Sequence, residues 1–142
     1  MSKIKSKISF KDNRGIIKDL ITKCKISSIT FISHKKNKIR GNHYHKKTTQ
    51  WNYVLNGKLK FFSQIKNVKK TYFLNKGEIS VTKPNEKHAI KAEKNSEYLV
   101  FTEGPRSGRN YELDTFRLNK KLIWFKIILD DIITCYYKKC FY

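Results

Sequence analysis

Arg40-Gly41-Asn42-His43-Tyr44-His45 is followed by Gln50 and by Asn56-Gly57, a run of alternating strand residues closed by a turn. Side chains alternate faces along a strand, so His43 and His45 point the same way. Two imidazoles on one face can hold a metal or move protons between carbon and oxygen. Downstream, Gln50 to Leu55 alternates, with Trp51, Tyr53 and Leu55 sharing a face. Asn56-Gly57 predicts a type I′ hairpin turn that folds Gln50 back beside the histidine strand. Pro84 fixes the chain entering a later strand at His88. Three imidazoles and one amide would then converge inside a small barrel.

The same rhythm extends outward. Ile26 to Ser33, Ile39 to His45, Lys58 to Phe62, Thr71 to Leu74, Glu78 to Val81, His88 to Ala92 and Glu97 to Thr102 read as strands. Turn residues separate them, including Asn75-Lys76-Gly77 and Lys83-Pro84-Asn85-Glu86. No helix of usable length precedes Leu118. The fold class is all-β, a jelly-roll sandwich or barrel over residues 1–118. Residues 119–142 form a C-terminal extension of unassigned role, apolar on every side but interrupted by Lys126 and Asp130-Asp131. That apolar run is too short to span a bilayer, so a membrane partner is not expected.

The chain has 142 residues, 39% of them hydrophobic and 13% aromatic, enough for one core and against disorder. Cys24, Cys135 and Cys140 make no CxxC pair, so neither a zinc knuckle nor a disulfide framework is indicated. Met1-Ser2-Lys3-Ile4 opens no signal-peptide core, and the expected compartment is the cytoplasm. The formal charge of +21 would suit a polyanion. Yet the excess is lysine, spread over turns and strand faces without an arginine-rich block, so nucleic acid is not the expected partner.

Lysine suffices where a charge is merely solvated, whereas guanidinium grips phosphate or carboxylate with two prongs. Only five of the 32 basic residues are arginine: Arg14, Arg40, Arg106, Arg109 and Arg117. Arg14 and Arg40, each beside a glycine, are the leading candidates for an anionic ligand. Gln50 and Tyr53 are candidate donors to a developing negative charge, although Tyr53 also reads as a packed sheet aromatic. Tyr44 alternates away from the histidine face and reads as a core or interface residue. His34, in a lysine-rich turn, reads as solvated. A homodimer is expected, because a small sandwich has strand edges to cover and apolar faces around Trp51-Tyr53-Leu55 and Leu122 to Leu129.

Gly41…His43-x-His45…Gln50…Gly57 and Gly77…Pro84-x-x-x-His88 resemble the two motifs of the cupin superfamily, HxH…E…G and PxG…H. Gln50 replaces the usual glutamate, and the second motif lacks its glycine and is one residue shorter. A narrower resemblance accounts for the glutamine. Arg40-Gly41-x-His43-x-His45-Lys46-x-x-x-Gln50 is similar to the RGxHxHKxxxQ signature of the cupin-type dTDP-4-oxo-6-deoxyglucose 3,4-ketoisomerases. Asp12-Asn13-Arg14-Gly15 is similar to the DxRG segment these share with dTDP-4-dehydrorhamnose 3,5-epimerases. Tyr111-Glu112-x-Asp114-Thr115-x-Arg117 only loosely resembles the ketoisomerases' closing segment.

That resemblance implies a sugar-nucleotide isomerase of deoxysugar or surface-polysaccharide synthesis, working without a cofactor. His43 would be the catalytic base and His45 its partner or relay. By position in the motifs, Arg14 and Arg40 would face the nucleotide diphosphate. Gln50 and Tyr53, as candidate donors, and His88, which is closer to general cupins and the epimerases, would complete substrate binding. The broader cupin resemblance implies an alternative: a small metal-binding cupin, either an oxygen-using enzyme or an effector-binding module. His43, His45, Gln50 and His88 would then hold a divalent Zn, Fe, Mn or Ni. Gln50 weakens that set, because a neutral amide oxygen is a poorer ligand than a carboxylate.

Overall fold

Alternation builds the sheets. The computed structural model describes residues 2–4, 6–106, 108–110 and 112–123. Twelve strands run through them: β1 (Ser2–Ile4), β2 (Ile8–Asp12), β3 (Gly15–Lys18), β4 (Ser28–His34), β5 (Ile39–Tyr44) and β6 (Thr49–Asn56). The second half holds β7 (Lys58–Ile65), β8 (Val68–Asn75), β9 (Ile79–Thr82), β10 (Lys87–Ala92), β11 (Ser96–Glu103) and β12 (Phe116–Arg117). One 3-10 turn, Gly108–Asn110, is the sole helical element among the described residues. In β7, Leu59, Phe61 and Ser63 are buried while their neighbours are not, and β11 buries Ser96, Tyr98, Val100 and Thr102. A period of two with one buried face is what a packed antiparallel sheet requires.

Two five-stranded sheets result, ordered β1-β9-β6-β11-β4 and β12-β5-β10-β7-β8, with β2 and β3 forming a separate two-stranded ribbon. The inner faces enclose one apolar cluster, Val54, Leu59, Phe61, Leu74, Ile90, Ala92, Tyr98 and Val100. A second cluster lies on the outer face of the first sheet. There Trp51, Ile79 and Val81 are covered by Ile4, Leu20, Ile21 and Cys24. The architecture is the all-β jelly roll expected. Four strands escape the sequence pattern: β1 and β12 are short and pair with strands remote in sequence, and β2 and β3 form a local hairpin whose apolar residues are interspersed with lysine and serine. From residue 124 on, the extension lies outside the described residues.

The Asn56-Gly57 hairpin is corrected by the structure. β6 pairs with β9 and β11, whereas β7 pairs with β8 and β10. The chain therefore crosses from one sheet to the other at Gly57, at φ 89°, while Asn56 is not left-handed. Both edges of β6 are already occupied, and a side chain on Gly57 would collide with Ser96 and Asn95. Asn56 steadies the corner by accepting the Gly57 N–H at 2.9 Å. Gln50 thus faces the histidines from the opposite sheet. His34 also differs from expectation: it is buried, hydrogen-bonded to the Lys38 carbonyl at 3.0 Å and packed near Tyr98.

Candidate active site

His43 and His88 are direct cross-strand partners on β5 and β10, their rings edge-to-face with centroids 4.6 Å apart. His45, just past the end of β5, lies 4.8 Å from the His43 ring and 5.3 Å from the His88 ring. One nitrogen of each imidazole falls within 4.8 Å of the others. A bulge directs this cluster. Between the Ala89–Gly41 and His88–His43 pairs the register slips, leaving Asn42 as the extra residue. Gly41 and Asn42 both take positive φ, 88° and 58°. Strict alternation would send Arg40 and His43 to opposite faces. The extra residue resets the parity, and both line the same cavity.

That cavity, about 340 Å³, opens between the sheets. His43, His88, Gln50 and Asn52 supply its polar wall, with Thr30, Ile32, Ile90, Tyr98 and Val100 beside them. Arg40, Arg106, Glu112 and Arg117 complete the lining. Arg106 is buried, whereas Arg117 and Glu112 are exposed and ion-paired at 3.0 Å. His45 is almost wholly buried and sits behind this wall rather than on it.

The hydrogen bonds define tautomers. His45 Nδ1–H donates to the Asp114 carbonyl at 2.7 Å, and His88 Nδ1–H donates to the Glu86 carbonyl at 3.1 Å. Each Nε2 is left with a lone pair. Burial pushes His43 down to about 2, aided by the neighbouring charges of His88, His45, Arg106 and Arg117. Burial likewise takes His88 to about 3. His45 is lowered by burial, opposed by its bond to Asp114 and by the adjacent Gln50 amide. Near neutral pH all three are therefore uncharged imidazoles, able to accept a proton or bind a cation. Three neutral nitrogens gathered within 4.8 Å could hold a divalent metal, with the Gln50 amide oxygen a weaker fourth donor.

The cavity wall or the histidine cluster thus includes His43, His45, Gln50, His88 and Arg40. Two expected residues lie elsewhere. Arg14 is on the exposed β2–β3 turn, its guanidinium held by Asp12 at 2.6 Å, where it holds that carboxyl below the usual range. Tyr53 points to the outer face of its sheet and packs in the Trp51 cluster, because the parity that turns Gln50 inward turns Tyr53 outward. Asn52 takes its place, two residues from Gln50 and legible from the same alternation. Arg106, Glu112 and Arg117 come from a chain segment remote from the histidine motif. The scarcity of arginine signalled Arg106 and Arg117, and the loose match to the ketoisomerases' closing segment signalled Glu112 and Arg117.

A jelly roll that clusters imidazoles from adjacent strands of one sheet at an inter-sheet cavity defines a cupin-type site. The chain belongs to the cupin family, whose model matches residues 18–122. No curated protein matches it in sequence. Among solved structures it is similar to a double mutant of the QdtA 3,4-ketoisomerase from Thermoanaerobacterium thermosaccharolyticum in complex with TDP. There the identity is 25%, the coverage 81% of this chain and 83% of that one, and the TM-score 0.63. Another structure of QdtA with TDP covers 99% of this chain and 96% of its own at 22% identity, with TM-score 0.67. A dTDP-4-dehydrorhamnose 3,5-epimerase from Sulfolobus tokodaii shares the fold at 15% identity, covering 84% of this chain and 77% of that one, with TM-score 0.65. The fold is that of the sugar-nucleotide isomerase-like cupins. Among the described residues no helix is long and apolar enough to cross a membrane.

Proposed function

We propose that this cupin is a sugar-nucleotide isomerase acting on a dTDP-4-oxo-6-deoxyhexose, moving the keto group between adjacent sugar carbons as a 3,4-ketoisomerase does. The observation that carries the reading is the neutral His43–His88 pair, 4.6 Å apart on a cavity lined by arginines. His43 removes the proton alpha to the carbonyl to give an enediol and returns a proton to the former carbonyl carbon, while the proton of the neighbouring hydroxyl passes to the former carbonyl oxygen. His45, buried behind it, orients and relays. Gln50, now with Asn52, donates to the enediolate oxygen. Arg40, Arg106 and Arg117 attract the diphosphate, for which planar guanidinium is the suited partner. Burial is the main cause of His43's lowered basicity; a bound diphosphate would offset only the smaller contribution of Arg106 and Arg117. The similarity to the QdtA ketoisomerases and the RGxHxHKxxxQ match support this substrate class, in deoxysugar or surface-polysaccharide synthesis. Deuterium incorporation from solvent into dTDP-4-oxo-6-deoxyglucose tests it. No exchange on any such sugar sinks it.

The convergence of three imidazole nitrogens within 4.8 Å favours a second reading, a metal-binding cupin. His43, His45 and His88 would hold Zn, Fe, Mn or Ni, with Gln50 as a weak fourth ligand. Such a cation supplies Lewis acidity to a bound carbonyl or water. Metal analysis of purified protein separates the two readings. Stoichiometric metal that is lost in His88→Asn supports the second. Metal-free protein stabilised thermally by dTDP supports the first.

A further inference from the structure

The chain carries only 11 acidic residues against 32 basic ones. Among the described residues two acids are buried, Glu86 and Asp114, and both contact the histidine cluster through their backbone carbonyls. Asp114 Oδ1 accepts the Lys46 N–H at 3.0 Å. Its Oδ2 accepts the Lys47 N–H at 2.9 Å and the Thr48 hydroxyl at 2.7 Å. Residues 45–48 are thereby gripped at four successive positions by one aspartate. Glu86 makes a smaller version of the contact: Oε2 accepts the Lys83 N–H at 3.2 Å while its backbone carbonyl takes His88 Nδ1–H. The two turns are joined where Asn85 N–H donates to the His45 carbonyl at 2.5 Å.

We propose that Asp114 and Glu86 are positioning residues that lock His45 and His88 as Nδ1–H tautomers, reserving both Nε2 atoms as proton acceptors or ligand atoms. A carboxylate offers two oxygens and several lone pairs, so it can hold three donors at once where an amide cannot. Buried charge is costly unless it is hydrogen-bonded in this way. A chain otherwise poor in acids retains these two where a backbone carbonyl must sit at hydrogen-bond distance from an imidazole. His34 supplies an internal reference, because it bonds Lys38 through Nε2 and is therefore the opposite tautomer.

The experiment is long-range proton–nitrogen NMR on protein labelled with 15N-histidine, near pH 7. Wild type should show His45 and His88 as Nδ1–H and His34 as Nε2–H. Asp114→Asn should convert His45 to a tautomer mixture while leaving His88 and His34 unchanged. Glu86→Gln should do the converse. The kinetic corollary rests on the isomerase reading: Asp114→Asn lowers kcat about 10–100-fold with KM within about twofold. If wild type catalyses no exchange, that reading fails while the tautomer pattern still stands or falls by itself. Finding His45 as Nε2–H in wild type overturns the proposal, and this measurement depends on no variant folding. An unchanged His45 signal in folded Asp114→Asn overturns it as well.

Discussion

Under the proposed function, His43 would act as a base inside a cavity that resists its protonation. Its neutral form dominates at pH 7, so the proton-accepting state is populated, but the conjugate acid is strong. His43→Asn keeps approximate size and one donor and removes the base. We expect kcat to fall ~10²–10⁴-fold with KM little changed in the exchange assay. Arg40→Lys keeps charge and loses the two-pronged grip. Loss of one charge-assisted hydrogen bond costs ~1.5–3 kcal/mol, so KM should rise roughly tenfold to a hundredfold. An Arg40→Lys enzyme with unchanged KM would remove that residue from the diphosphate site. The lowered histidines also set a pH dependence of stability. Between their folded values and the ordinary 6.5 the unfolded chain binds more protons, so stability is full above about pH 6.5 and falls as pH drops. Each such group contributes up to about 1.4 kcal/mol per pH unit. Asp114, held below its usual range despite burial because Thr48, Lys47 and Lys46 donate to it, adds its own loss only below about pH 4. Urea midpoints from pH 7 to 4.5 should therefore decline, and His43→Asn should decline less steeply. Parallel slopes would show that His43 is not buried as a neutral base.

At the scale of elements, the bulge in β5 does what regular pairing cannot. Gly41 sits at φ 88°, and a Cβ there would lie 2.9 Å from the His88 carbonyl oxygen and 3.0 Å from the Ala89 Cα. Left-handed backbone costs an L-residue roughly 1–2 kcal/mol, and the contact with β10 backbone cannot relax by a side-chain rotation. Gly41→Ala should destabilise the protein by at least about 2 kcal/mol in urea denaturation and displace His43 from His88. A loss below about 0.5 kcal/mol would mean the bulge is not built this tightly. The same bulge turns Asn42 outward. Its side-chain oxygen accepts the Leu122 N–H at 2.8 Å, and its carbonyl accepts the Leu118 N–H at 2.9 Å. One extra residue therefore aims the site on one face and anchors the chain after β12 on the other.

At the scale of the whole molecule, apolar surface remains uncovered. Trp51 and Tyr53, read from sequence as an interface, are packed beneath Leu20, Ile21 and Cys24. The exposed apolar residues include Ile29 and Phe31 on edge strand β4, at 62% and 57%, and Ile8, Phe10, Ile16 and Ile17 clustered on the β2–β3 ribbon, with Ile65, Val68, Phe73 and Leu113 scattered elsewhere. An unpaired apolar edge is a template for another chain. We expect a homodimer, sedimenting at twice the 16.9 kDa chain mass, with Ile29→Lys/Phe31→Lys shifting it towards monomer. A wild-type monomer at micromolar concentration would refute this.

Sequence alone determined the strand rhythm, the shared face of His43 and His45, and the family, because all of these rest on spacing within one short window. Eight of the strands were legible for that reason. The Asn56-Gly57 turn was visible as a turn, but not as a crossing between sheets, since its outcome depends on which strands already flank β6. Arg40 was singled out by composition, yet only the bulge against β10 brings it to the histidine face. Arg14, matched through the DxRG segment, lies away from the cavity, and Tyr53 is the packed sheet aromatic its alternation with Trp51 indicated. Arg106, Glu112, Asp114 and Arg117 reach the histidines from some 60 residues along the chain. Strand order and bulge placement are decided by which faces and edges find partners in three dimensions, and no local pattern of side chains records that choice.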